Sequence, residues 1–189
     1  MEFVDSETQR LLRTTARSYL ANAYPWERLY RIESGDERLA ADSLRPLADL
    51  GWFGLLAPQT EGDGSLLDAA VVIDELGYAG VPAPVAAANV AAYLLRDSNA
   101  AGELLADLAT GRRLCTVSEA TRRQGTAQPL VASGGSVSGA LPLVPFADVC
   151  AFVLAPLLLE GEPAFAALPL AAACHPRRGA AVLAARRWV

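Results

Sequence analysis

The chain has 189 residues, 52% of them hydrophobic, and a formal net charge of −5. That length accommodates one ordinary domain or two small ones, and a chain this apolar and weakly charged is excluded from the disordered class. All sixteen basic residues are Arg, which rules out Schiff-base and P-loop lysine chemistry, and the single His, His175, leaves most of the chain without the usual base of a Ser or Cys triad.

The charge is unevenly placed. Residues 1–110 carry 17 acids and 8 Arg, a net −9, whereas residues 111–189 carry 4 acids and 8 Arg, a net +4. An acidic first part argues against a nucleic-acid or anionic-membrane surface. The Arg pairs at 112/113, 122/123, 177/178 and 186/187 read as solvated charge, with contact to the phosphates of a bound cofactor as the alternative. Cys115, Cys150 and Cys174 lie far apart with no C-x-x-C spacing, which suits a reducing compartment. The opening residues MEFVDSETQR are acidic and do not read as a signal peptide, and the most apolar window, Val149–Leu159, reads as too short to span a bilayer. These features predict a cytoplasmic chain with no membrane or nucleic-acid partner.

In chain order, the first predicted helix covers 6–23. Ser6 with Gln9 forms a capping-box pattern, Leu11, Leu12, Thr15, Ala16, Tyr19, Leu20 and Ala23 make an apolar stripe, and Arg10, Arg13 and Arg17 fall on the opposite face. A second helix is expected at 36–50, kinked or broken at Pro46 and closed by Gly51. A third is expected at 65–78 from a Ser65 cap, with Leu66, Ala69, Ala70, Ile73 and Leu76 on one face and Asp68 and Glu75 outward. Residues 84–96, opened by Pro84 and rich in Ala, predict a closely packed fourth helix, and 99–110 predicts a fifth that stops at Gly111.

Beyond 112 the pattern changes to strand. RRLCTVSEA, DVCAFVLAP and PAFAALPLA read as short strands, with turn-rich text at ASGGSVSG and LLLEGE. The acids Glu61 and Asp63 lack EF-hand spacing and read as a solvated loop. Trp26, Trp52 and Trp188 read as core or interface anchors.

The stretch Gly51–Pro84, GWFGLLAPQTEGDGSLLDAAVVIDELGYAGVPAP, joins an apolar turn, a Pro, an acidic Gly-rich loop and a helix ending in Glu75-Leu76-Gly77. It resembles the second loop and third helix of the acyl-CoA dehydrogenase amino-terminal domain, where the text runs "G-lllP-e-x-x-G-G-x-G" before a helix ending E-L-G. The likeness continues in register to about residue 170. Leu104 to Gly111 matches the family's "L-L-P-x-L-x-x-G", Val117-Ser118-Glu119 matches the strand ending in T-E-P, and Gly139 with Val144 and Ala147-Asp148 matches "L-x-G-x-K-x-[WF]-[IV]-[TS]-N…A-D".

This resemblance implies an α+β chain: an all-α helical domain over 1–111, then a small, incomplete antiparallel β-barrel-like domain over 112–189. It implies FAD as cofactor, an acyl-CoA thioester as substrate, and an oxidoreductase acting by α,β-oxidation. It places Val117, Ser118, Glu119 and Val144 against the flavin, where backbone N–H groups and hydroxyls tune the cofactor. Several positions depart from the pattern: Ala120 replaces the Pro, Thr121-Arg122-Arg123-Gln124-Gly125 replaces G-S-D, Leu141 replaces the Lys, Leu143 the aromatic and Pro145 the hydroxyl residue. The resemblance puts the family's catalytic Glu in a carboxy-terminal helical domain, and the expectation is that no catalytic residue carries over to these 189 residues. The expectation is a chain that is incompetent alone, a truncated product or a partner subunit of a longer acyl-CoA dehydrogenase, with unpaired strand edges exposed.

Overall fold

A computed structural model describes residues 5–58, 64–98, 101–118, 130–141, 143–170, and two short strands at 181–182 and 185–186. Among the described residues, six α-helices precede the sheet: α1 (Glu7–Ala23), α2 (Trp26–Ser34), α3 (Arg45–Asp49), α4 (Leu66–Ala79), α5 (Val85–Leu95) and α6 (Gly102–Ala109). The described strands that follow are β1 (Cys115–Val117), β2 (Leu130–Ser133), β3 (Ser136–Ser138), β4 (Ala140–Leu141), β5 (Phe152–Leu159), β6 (Glu162–Pro169), β7 (Ala181–Val182) and β8 (Ala185–Arg186).

Local chemistry sets the helix starts. At α1 the Gln9 N–H donates to Ser6 Oγ (3.2 Å) and the Ser6 N–H to Gln9 Oε1 (2.9 Å). At α4 the same reciprocal cap joins Ser65 and Asp68, at 3.1 and 2.9 Å. Each satisfies two of the amide donors that a helix start leaves without partners. Asp68 is partly desolvated, which opposes ionisation, yet its hydrogen bonds from Ser65 and Gln9 hold the carboxyl below its ordinary range.

Helices α1 and α4 pack side by side and run in the same direction. Gln9 Nε2 donates to Asp68 at 3.1 Å, Arg13 to Asp74 at 2.6 Å and Glu75 at 2.9 Å, and Arg17 to Glu75 at 2.7 Å. Glu75 does not point outward: it is 1% exposed. Arg13 and Arg17, expected on the free face of α1, wrap around this carboxylate instead. Hydrogen bonds from Arg17 and then Arg13 keep Glu75 ionised below its ordinary range against the cost of burial.

The region after α1 differs most from expectation. Residues 26–34 form α2, capped by Gly35 in the left-handed region (φ 86°), where the sequence pattern showed no helix. Conversely, 36–50 holds only a 3₁₀ turn (Ala41–Leu44) and the five-residue α3. Glu37 explains the difference: it accepts from Arg28 (2.8 Å) and Arg31 (3.2 Å), and its N–H donates to the Arg31 carbonyl (2.9 Å). These bonds fold the segment back on α2 instead of letting it start a new helix. Pro46 lies in the first turn of α3, where its missing N–H costs nothing.

The turn after α3 buries Trp52 and Phe53. Buried Asn89 of α5 secures it, donating to the Trp52 carbonyl (2.7 Å) and accepting from the Leu56 N–H (3.0 Å). Two glycines permit close approach here. A Cβ on Gly54 would sit 2.8 Å from Ala109 Cα, and one on Gly111 (φ +64°) would sit 2.3 Å from Ala48 Cβ. Ala88, Ala91 and Ala92, all fully buried on α5, let that helix lie close against β1.

The helical part is followed by the small, unclosed sheet that was expected, and its pairing is mixed, with two parallel pairs among antiparallel ones. β5 is its spine: it runs parallel to β1 (Cys115↔Phe152) and to β2 (Leu130↔Leu157) on one edge, and antiparallel to β6 on the other. Pro156, which has no N–H to donate, falls in the gap between the β1 and β2 registers. The β5–β6 hairpin turns through Glu160 and Gly161 (φ 50° and 91°), and β2–β3 turns through Gly134-Gly135 (φ 57° and 80°). The strand order is β1-β5-β2-β3-β8, with a separate β4–β7 pair, and among the described residues β6 pairs only with β5. One continuous apolar core runs from α1 through α5 into β5 and β6. No described helix is long and apolar enough to cross a membrane.

Two stability outcomes follow from this packing. Glu75→Gln leaves Arg13 and Arg17 without their shared carboxylate and is expected to cost about 1–3 kcal/mol in urea unfolding at neutral pH. Because the native Glu75 pKa lies below the unfolded value of 4.5, its contribution is complete above that pH and is lost as pH falls through the native value. The wild-type chain should therefore lose more stability than Glu75→Gln on acidification to about pH 3; equal losses would contradict the pairing. Gly54→Ala forces a Cβ against the α6 backbone and should lower the unfolding midpoint by the equivalent of about 1–3 kcal/mol.

Candidate functional site

Strand β1 is three residues long, and its end is the first half of the candidate site. Val117 is half-buried and ends the strand; Ser118 follows at 8% exposure, its N–H donating to the Leu154 carbonyl at 2.9 Å. Just before them, Thr116 is fully buried, and its Oγ1 has no hydrogen-bond partner among the described residues. Glu119, expected beside Ser118, lies outside the described residues, as does the 120–125 text that replaces the family's motif.

Val144 supplies the second half. It lies not on a strand but in the irregular segment between β4 and β5, half-buried against the common core. Two residues on, Phe146 adopts φ +55°, and its carbonyl accepts from Val149 N–H (3.0 Å) and Cys150 N–H (2.9 Å). A left-handed backbone at a bulky aromatic residue is strained and persists only where the surroundings enforce it. The turn delivers the chain to β5, where the Ala151 and Phe152 N–H groups both reach the Leu114 carbonyl. Val117 and Ser118 are thus together at one strand end, and Val144 belongs to the segment that feeds the neighbouring strand.

Sequence reasoning missed the feature that orients β1. Asp107, near the end of α6, is 1% exposed and receives both Arg112 and Arg113 through side-chain hydrogen bonds, while its carbonyl accepts the Arg112 N–H at 2.9 Å. Burial opposes its ionisation, but the two guanidinium groups outweigh that and hold the carboxyl below its ordinary range. The 112/113 pair is therefore a structural clasp in addition to surface charge; an acid five and six residues ahead of an Arg pair was the available signal. Arg122, Arg123, Arg177, Arg178 and Arg187 lie outside the described residues, with Glu61, Asp63, Cys174, His175 and Trp188. Trp52 is a core anchor, whereas Trp26 is 69% exposed and stacks edge-on with Tyr30.

Neither described cysteine is poised for chemistry. Cys115 and Cys150 are both buried, and burial pushes each thiol up to about 12. Among the described residues no group of His, Cys, Asp and Glu could hold a metal ion.

Comparison with known proteins gives these features a frame. The sequence model described as "Acyl-CoA dehydrogenase, N-terminal domain" matches residues 6–111. The acyl-CoA dehydrogenase FadE34 of Mycobacterium tuberculosis (strain ATCC 25618 / H37Rv) is 34% identical over 145 residues, 72% of this chain but 20% of that protein. Among solved structures, a variant of the Tcur3481–Tcur3483 steroid ACAD superposes with a TM-score of 0.76 at 22% identity, covering 96% of this chain and 55% of that one. The ChsE4–ChsE5 complex from Mycobacterium tuberculosis gives 0.71 at 18%, covering 98% and 54%. A glutaryl-CoA dehydrogenase from Mycobacterium smegmatis in complex with FADH2 gives 0.69 at 11%, covering 98% and 54%. The chain spans about half the length of these solved structures and a fifth of the curated relative.

The thiol environments predict a labelling pattern. In the native chain at about pH 8, Cys115 and Cys150 should resist alkylation and react only in denaturant, as read by peptide mapping. Rapid native labelling of either would overturn the burial described above.

Proposed function

The chain belongs to the acyl-CoA dehydrogenase family, and from that membership we propose that it supplies the helical wall and one strand end of a site for α,β-oxidation of an acyl-CoA thioester by FAD. The observation that carries this reading is the match over residues 6–111, followed directly by β1, whose Val117-Ser118 end resembles the family's T-E-P strand.

Val117, Ser118, Glu119 and Val144 are the residues assigned to the cofactor. Their donor set is thin. The Ser118 N–H is engaged with Leu154, and Pro145 has neither N–H nor hydroxyl. On the described residues, the Ser118 side chain and the backbone of Val117 and Val144 are what could face the ring, which fits one wall of a flavin site and not a complete cradle. When bound, FAD would supply the hydride acceptor; this chain's residues would fix the ring's position and exclude water from one side. No residue of the chain is assigned as the base that removes the α-proton. The 189 residues are accordingly read as an oxidoreductase polypeptide that does not turn over acyl-CoA alone.

A second reading has an observation of its own: two of the similar solved structures are named as pairs of proteins, Tcur3481–Tcur3483 and ChsE4–ChsE5. In this reading the chain is a non-catalytic partner subunit that packs against a complete acyl-CoA dehydrogenase.

Purified chain is expected to show little or no flavin absorption and no acyl-CoA-dependent reduction of an electron-accepting dye. Dye reduction by the chain alone would sink the first reading's claim of incompetence. Co-purification with a longer acyl-CoA dehydrogenase chain at fixed stoichiometry favours the partner reading; a stoichiometric flavin band without a second chain favours the cofactor-bearing one.

A further inference from the structure

A cavity of about 330 Å³ opens between the end of α5, the start of α6 and the sheet. Its walls are apolar: Leu95 and Leu104 from the helical side, Val137, Leu157 and Ala164 from the strands. The polar or charged side chains that line it are Ser98, Glu103 and Arg113, all at least partly exposed, which puts them at its mouth. None of Val117, Ser118 or Val144 lines it, so it is separate from the strand end discussed above.

Arg113 is held in one orientation there. Its Nε donates to buried Asp107, and its guanidinium carbon stands 5.1 Å from the ring centroid of Phe152, itself a lining residue. The bond to Asp107 uses the Nε edge. Its two terminal nitrogens have no partner among the described residues. A guanidinium locked on one edge and stacked on one face presents the other edge as a preformed fork, a shape that matches a carboxylate with two parallel hydrogen bonds. Exposed Glu103 at the same mouth adds a negative charge, which disfavours a dianionic phosphate and leaves room for one anionic charge. The volume is near the low end for small-molecule sites, which limits the ligand to a short body.

We propose that this cavity binds a free carboxylic acid with a short or medium apolar tail, the tail among Leu95, Leu104 and Leu157 and the carboxylate on the terminal nitrogens of Arg113. The site requires neither flavin nor thioester, so it stands whatever becomes of the reading above.

Octanoate is the probe, titrated calorimetrically into the full 189-residue chain, with octanol and octylamine as controls of equal tail. The expected result is saturable one-site octanoate binding, with both controls weaker by about tenfold or more, the factor that a charge-assisted hydrogen bond carries. Arg113→Gln should weaken octanoate by a similar factor. Because that variant also removes a partner from Asp107, Ala164→Phe provides an independent arm: it fills the cavity without touching the clasp and should abolish binding while the circular dichroism melt stays cooperative. Absence of saturable octanoate binding overturns the proposal, as does octanol binding equally well, or undiminished binding to folded Ala164→Phe.

Discussion

The buried carboxylate of Asp107 determines how the helical and β parts of this chain meet. Removing an ion from water costs several kcal/mol unless charged hydrogen-bond partners compensate, so Asp107 holds Arg112 and Arg113 where its own helix ends. Gly111 makes the reversal between them, in a left-handed conformation and in such close contact with Ala48 that no other residue fits without displacement. The chain then enters β1 directly, and the Leu114 carbonyl receives the two amides that open β5. Since β5 pairs with β1, β2 and β6, the whole sheet takes its placement against α5 and α6 from this one junction.

What the sequence revealed and what it concealed divide along a physical line. Features set by neighbours in the chain were legible. The Ser6 and Ser65 caps, the Gly51 stop and the Ala-rich face of α5 are all local chemistry or simple periodicity. Features set by partners distant in sequence were not. Glu75 falls on a helix face that reads as solvent, and only the side-by-side packing of α1 and α4 brings Arg13 and Arg17 over it. Helix α2 is nine residues long, follows Pro25 without a side-chain cap and buries no residue completely, with Trp26 and Tyr30 exposed, so the local start signal that marks α1 and α4 is missing. The β2–β3 hairpin was hidden in a Gly/Ser-rich run because Gly134-Gly135 reads equally well as a loop or as the tight turn that two short strands require.

The candidate site was legible only through family resemblance. A three-residue strand ending in Val and Ser carries no chemistry that composition or spacing could single out. The same holds for Val144, whose surroundings are irregular backbone and whose family counterpart lies on a strand. The structure adds what the motif text could not: Ser118 has its amide turned into the sheet toward Leu154, so that N–H extends the strand ladder instead of facing a ligand.

Asp107 and Ser118 are linked by register. β1 is held by only three residue pairs with β5, and Ser118 extends that ladder by one bond to Leu154. A slip of one residue would exchange the faces of Thr116 and Val117, driving one apolar side chain out of the core and a hydroxyl into a new setting. So short a ladder gives little resistance to such a slip on its own. The resistance comes from the two ends: the clasp on Asp107 with Gly111 wedged against Ala48 before the strand, and the packing of α5 alanines along it. A change that frees Arg113 from Asp107 therefore loosens more than a surface ion pair. It relaxes the constraint that decides which side of β1 faces the candidate site.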